Sequence, residues 1–421
     1  MTTTHEVVVT GIGIVSPIGI GRNDFWDSVI AGSSGVSVTE IFESTGMPSK
    51  IGGEIRDFDP KQHVRPRKSL KVMCREIQTA FAAAAMAAEE SGIAELDIDR
   101  GRIGSVFGSQ MMYSDIPDLE QLYRASLDDG GQFSFDQFAD SFPSKMNPLW
   151  MLKYLPNMPS CHVAIGLDAQ GPNNSVVLGD ASGLLAMIEG INCIRRGMAD
   201  IMVCGGTGCR LNLTPRAYRG DLGVSRKRND APTAASRPFD SDRDGMVNGE
   251  GAGALILERA DHAQARGAKI FCRIAGYGSS VDVGNDVQSM EHAILNSINL
   301  ALVTESVDAS QISHVNAHGL STIEQDESEA KAIQSALSDV PVTALKSLFG
   351  YLGPGSGTIE LAASIIGLEN NVVPPTINYS DPDPKCPVNV VTSPLACAKP
   401  YVLALNQSGT GQTASLMIAR P

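Results

Sequence analysis

The chain has 421 residues, 43% of them hydrophobic, and a formal net charge of −14. That length exceeds one ordinary core and predicts two domains or two packed halves, while the acidic balance excludes a protein built mainly to hold nucleic acid. No apolar run reaches about 18 residues, and MTTTHEVVV lacks a basic segment followed by an apolar one, so no membrane span is expected and a cytoplasmic location is read. The eight cysteines form no CxxC pair and no metal spacing, so they read as scattered thiols of a reducing compartment, with no metal site.

The opening, HEVVVTGIGIVSPIG (5–19), predicts a buried strand and a glycine-punctuated turn. It holds GxG but no complete GxGxxG, a weak sign of nucleotide binding. The run KQHVRPRKSLKVMCR (61–75) concentrates Lys61, Arg65, Arg67, Lys68, Lys71 and Arg75 in an otherwise acidic chain, and Arg226, Lys227 and Arg228 form a second basic run. Each reads either as a solvated face or as a surface that steers an acidic partner. Residues 112–159, rich in Met, Pro and Phe, predict an irregular surface cap or dimer contact.

In GPNNSVVLGDASG (171–183), an apolar strand-like run (Val176, Val177, Leu178) ends at Gly179, and a helical pattern of Leu184, Leu185, Met187, Ile188 and Ile191 follows Asp180. Strand, sharp turn and helix is the layout that presents a nucleophile at a helix N-terminus. An ionised carboxylate there is a weak nucleophile and a good N-cap, so Asp180 reads as a cap or as an active carboxylate.

Further along, Ile201–Gly206 and Gly253–Glu258 are apolar enough for central strands, and Lys269–Asp282 repeats the pattern of the opening. A helix over Asp286–Thr304, a strand at Ile312–Asn316, a helix over Glu324–Leu337 and a closing strand at Ala414–Ala419 follow. Alternating strands and helices with a faint internal repeat predict two similar α/β halves, 1–258 with the cap insertion and 259–421.

Five ordered stretches carry a family resemblance: VVVTGIGIVSPIG (7–19), RPFDSDRDGMVNGEGAGALILE (237–258), VNAHGLST (315–322), ALKSLFGYLGPGSG (344–357) and NQSGTGQTAS (406–415). Together the chain resembles the condensing enzymes of the thiolase superfamily, the elongating β-ketoacyl-acyl carrier protein synthases of fatty acid and type II polyketide systems. The resemblance implies a thiolase-like fold, two α/β halves packed as a five-layered αβαβα sandwich. It implies a site of one cysteine, two histidines and one lysine. Asp180 stands in the cysteine's place and Tyr351 in that of the second histidine. His318 and Lys346 match the first histidine and the lysine, and Asp326 and Glu329 match acidic positions after it.

In the same way Thr410, between Gly409 and Gly411, replaces a phenylalanine that gates the acyl pocket. Leu320 replaces one of two threonines that contact the pantetheine arm, and Thr322 keeps the other. Lys346 is expected to pair with Asp180 or Glu329, and, with the helix dipole, to depress the aspartate's pKa. The two basic runs fall about where the family receives its acidic carrier protein.

The resemblance implies a ketosynthase-like subunit most like a chain-length factor, which lacks the nucleophile and pairs with a cysteine-bearing ketosynthase, or else a homodimer. Its partner is an acyl carrier protein that brings phosphopantetheine, with no cofactor of its own. Two alternatives stand beside it: an enzyme of altered chemistry, decarboxylating or hydrolysing acyl thioesters with Asp180 and His318, and a homodimeric scaffold that binds carrier protein without chemistry.

Overall fold

The structure is a computed structural model that describes residues 5–43, 45–219, 223–284 and 286–421. The first half contains, in chain order, β1 (Val7–Ser16), α1 (Arg75–Ser91), β2 (Ile103–Gly108), α2 (Met158–Leu167), β3 (Asn173–Val176), α3 (Ser182–Arg195), β4 (Ile201–Cys209) and β5 (Glu250–Arg259). The second contains β6 (Cys272–Val281), α4 (Val287–Val303), β7 (Ile312–Asn316), α5 (Ile323–Leu337), β8 (Pro341–Thr343), α6 (Gly355–Asn370), β9 (Tyr401–Gln407) and β10 (Gln412–Ala419).

The strand orders are β3-β2-β4-β5-β1 and β8-β7-β9-β10-β6. In each half the first three strands run parallel and the last two antiparallel, so the halves are copies of one topology. They join edge to edge where Val8 pairs with Arg273 and Val9 with Cys272. Helices α1 and α2 cover the outer face of the first sheet, α4 and α5 that of the second, and α3 and α6 lie between the two. The result is the αβαβα stack that the resemblance implies.

Local sequence explains these positions. β1, β2 and β5 are buried almost throughout, as strands covered on both faces must be. Helix α6, GSGTIELAASIIGLEN, is buried from Gly355 to Leu368, and an apolar circumference suits only an interior helix. The glycines of the opening motif serve packing: a Cβ on Gly13 would lie 1.8 Å from the Ala83 carbonyl oxygen, and one on Gly11 2.2 Å from that of Ala87. The alanine-rich α1 therefore rests directly on β1, and the GxG pattern needs no nucleotide.

Two expectations are corrected. Residues 112–159 are not irregular but hold helices at Ile116–Ala125 and Phe135–Lys145, joined by a Leu127–Phe133 bridge. Phe138 packs on Phe133 and Phe142, and the second helix contains Pro143. The strand expected over Val176–Leu178 ends at Val176, and Val177 and Leu178 turn outward, 45% and 44% exposed. Among the described residues, no helix is long and apolar enough to cross a membrane.

Candidate active site

The site lies where the β3–α3 turn, the segment before α6 and the β9–β10 hairpin meet between the sheets. Gly179 takes φ +66°, which only glycine adopts freely, and this reverses the chain after Leu178. Ser408 stitches the turn to the hairpin. Its Oγ donates to the Leu178 carbonyl (2.7 Å) and accepts the Ala181 N–H (2.9 Å).

Asp180 does not cap α3. The cap position is Ala181, with no side-chain cap bond, and the Asp180 carboxylate instead accepts the Tyr351 hydroxyl hydrogen bond. Tyr351 is 4% exposed and fixed by its own N–H to the Val247 carbonyl at 2.7 Å. The other face of its ring lies 4.9 Å from the Arg210 guanidinium. Burial raises the Asp180 pKa against the opposing pull of Arg210, Tyr351 and Lys346. The expected depression is thus overturned: desolvation outweighs the nearby positive charge.

Lys346 pairs with neither Asp180 nor Glu329. Its Nζ donates to Glu360 Oε1 (2.6 Å), to the His318 carbonyl (2.6 Å) and to His318 Nδ1 (3.2 Å). Asn406 Nδ2 also donates to His318 Nδ1, at 3.1 Å. With two donors facing Nδ1, the ring proton is assigned to Nε2. Burial, reinforced by Lys346, holds the imidazole well below its ordinary pKa, so it is neutral at pH 7. Nε2–H is buried without a partner among the described residues, a donor available to an oxygen atom entering the site.

Carboxylates hold the loop that carries His318. Glu329 accepts the N–H groups of His318 (2.6 Å) and Gly319 (2.8 Å), and Asp326 those of Leu320 and Ser321. Burial pushes Glu329 up to about 8 from 4.5. Between these values the folded chain keeps a proton that the unfolded chain has released. The contribution to stability is therefore complete below 4.5 and is lost as pH rises through about 8. Glu329→Gln should flatten this fall by up to about 1.4 kcal/mol per pH unit. Urea midpoints taken across the window check it, and parallel slopes for the two proteins would refute it.

The remaining expected residues surround this centre. Leu320 and Thr322 are buried beside His318, and the Thr322 hydroxyl has no partner among the described residues. Thr410 is exposed on the hairpin loop, its hydroxyl donating to Gln412 at 2.6 Å. Gly409 adjoins Gln325, and Gly411 (φ +92°) passes so close to the Asp282 carbonyl that a Cβ would sit 1.9 Å from it.

Of the basic residues, Lys61, Arg65, Arg67, Lys68, Lys71, Arg226 and Lys227 are exposed. Arg75 is turned inward, bonded to Glu250 at 2.8 Å, and Arg228 pairs with Asp242 and Asp244, so these two charges are engaged within the fold. Sequence reasoning missed Glu360, Asn406, Ser408 and Arg210. Asn406 and Ser408 lie in a quoted motif, but nothing local marks Glu360 or Arg210.

The fold is the thiolase-like fold of the ketosynthases. Residues 4–263 match the Beta-ketoacyl synthase, N-terminal domain, and residues 271–380 the Beta-ketoacyl synthase, C-terminal domain. The chain is 35% identical to a 3-oxoacyl-[acyl-carrier-protein] synthase 2 of Synechocystis, covering 92% of this chain and 91% of the relative. It is 33% identical to a putative polyketide beta-ketoacyl synthase 1 of Streptomyces cyaneus, covering 99% of each. Among solved structures, the ishigamide ketosynthase/chain length factor superposes with a TM-score of 0.86 at 29% identity over 100% of both chains. A type II polyketide acyl-carrier protein in complex with its ketosynthase bound to the hexaketide gives 0.84 at 28%, again over 100% of both chains. The chain belongs to the β-ketoacyl synthase family.

Proposed function

We propose that this chain is a ketosynthase-like subunit that does not condense by itself, and that it acts with a cysteine-bearing ketosynthase and an acyl carrier protein to shape the acyl chain. The observation that carries this reading is the Asp180–Tyr351 hydrogen bond, which joins the residues at the two positions assigned to the nucleophile and the second histidine. An aspartate bonded to a phenol offers no thiolate for thioester exchange, and a phenol does not take up a proton near neutral pH. The rest of the scaffold persists, with neutral His318, Lys346 and Glu360 in one buried network.

An unpaired surface also supports a protein partner. β3 ends the sheet, with Val177 and Leu178 exposed beside it, and the cap presents Phe135 (80% exposed), Leu149 and Met151. Unpaired sheet edges and exposed apolar patches are surfaces on which a protein partner can settle. The exposed lysines and arginines of residues 61–71 fit an acidic carrier protein. Native mass spectrometry of this chain, co-expressed with a cysteine-bearing ketosynthase of the same genome, is expected to show a one-to-one heterodimer. A homodimer that ignores the paralogue would overturn the reading and favour the scaffold.

One observation favours a second reading, an enzyme of altered chemistry. The raised Asp180 pKa makes its carboxyl a better proton acceptor than a solvated aspartate, in a site where His318 Nε2–H awaits an oxygen atom. Thioester decarboxylation or hydrolysis that disappears in Asp180→Asn would establish it; turnover unchanged by that substitution would remove any carboxylate mechanism.

A further inference from the structure

Arg210 has no task in the reading above. It directly follows β4, beside the end of the parallel strand β2, and the carboxyl ends of parallel strands are where ligand crevices form in α/β sheets. Its backbone N–H is fixed to the Gly249 carbonyl at 2.8 Å. One edge of the guanidinium meets Gln110 Oε1 at 3.3 Å, and one face meets the Tyr351 ring. Gln110 is itself oriented, because its Nε2 donates to the Cys209 carbonyl at 3.4 Å. Gly353 makes the room, since a Cβ there would stand 3.0 Å from Gln110 Oε1.

The guanidinium therefore comes ready-oriented and largely unused. Among the described residues only Nη1 has a hydrogen-bond acceptor, and no carboxylate is in ion-pair contact with Arg210. Asp180 acts on it through charge alone, because the Asp180 carboxylate is engaged by Tyr351. Arginine has five N–H donors in a planar fork that matches a carboxylate two to two. Arg210 keeps part of its surface exposed to solvent. A charged group held in place by a neutral amide and an aromatic face, with its donors unspent, is how an anion subsite is preorganised.

We propose that Arg210 and Gln110 form a carboxylate-binding subsite beside Tyr351, which takes a carboxylate borne by a short acyl chain or by a small carboxylic acid. The acyl-borne source rests on the proposed function; the subsite itself does not. Binding is measured by calorimetry with glutaryl-pantetheine, its neutral counterpart pentanoyl-pantetheine, and free glutarate. The intact chain should prefer glutaryl- over pentanoyl-pantetheine by roughly tenfold, as for a charge-assisted hydrogen bond. Arg210→Gln should abolish the preference, and Gln110→Met, which leaves the charge in place, should weaken it. Asp180→Asn should strengthen it, since one competing negative charge is gone.

Equal affinity for the charged and neutral thioesters in the intact chain would overturn the subsite, as would a preference that survives Arg210→Gln in a protein whose melting curve shows it folded. Free glutarate binding that depends on Arg210, with no binding of either thioester, would uphold the subsite and count against the acyl pocket instead.

Discussion

Asp180→Cys on its own is expected to yield a protein that reacts with a thiol reagent at residue 180 but condenses poorly. The double substitution Asp180→Cys with Tyr351→His should exceed it by roughly 100-fold, the lower end of what one positioned acid–base group supplies. The reason lies in the geometry. Tyr351 spends its hydroxyl on residue 180 and sits 4% exposed between that residue and Arg210, so on the proposed reading a new thiol would face a phenol where the second imidazole is expected. His318 is already neutral and offers Nε2–H, so on that reading the second donor is what the double variant adds. Mass analysis of the product from malonyl- and acyl-carrier protein distinguishes the outcomes. Equal condensation by the single and double variants would mean that Tyr351 is no obstacle and that residue 180 alone limits condensation.

Lys346→Met is expected to be the most destabilising single change in the site, by about 3–5 kcal/mol, because it strands a buried carboxylate. Lys346 and Glu360 are each 1% exposed at the side chain and pair at 2.6 Å, and the same ammonium also satisfies the His318 carbonyl. Burial already pushes Glu360 up, and Lys346 is the main influence opposing that. Adding Glu360→Gln should recover much of the loss, since an uncharged pair leaves less unmet desolvation. Urea unfolding of the four proteins of this cycle measures the coupling; a Lys346→Met variant as stable as the parent would show that the network does not hold the centre together.

The sequence by itself determined the class of this protein. Apolar runs such as IMVCGG and GALILE, short and carrying β-branched residues, became the central strands β4 and β5, covered on both faces. The repeated strand-and-glycine pattern at 7–19 and 269–282 became β1 and β6, the paired strands at which the two halves meet. The helix expected over Asp286–Thr304 became α4, with Asp286 as its N-cap, accepting the Ser289 N–H at 2.8 Å. These features are local, set by side-chain period and by caps within a few residues.

The partners of charged groups were decided only by the tertiary structure. Asp180 looked like a cap because it precedes a helix, yet the residue that engages it lies 171 positions away. Lys346 looked free to pair with Asp180 or Glu329, but α6 brings Glu360 to it, while the Glu329 carboxylate is taken by backbone N–H groups of the His318 loop. The sign of the Asp180 pKa shift was also beyond the sequence, since it depends on how much protein surrounds the carboxyl, and that is a property of packed layers. Arg210 was silent for the same reason: an arginine at the end of a strand carries no local signal, and only the fold sets it against Tyr351 and Gln110. Secondary structure is encoded by neighbours along the chain, whereas the pairing of buried charges is fixed by neighbours in space.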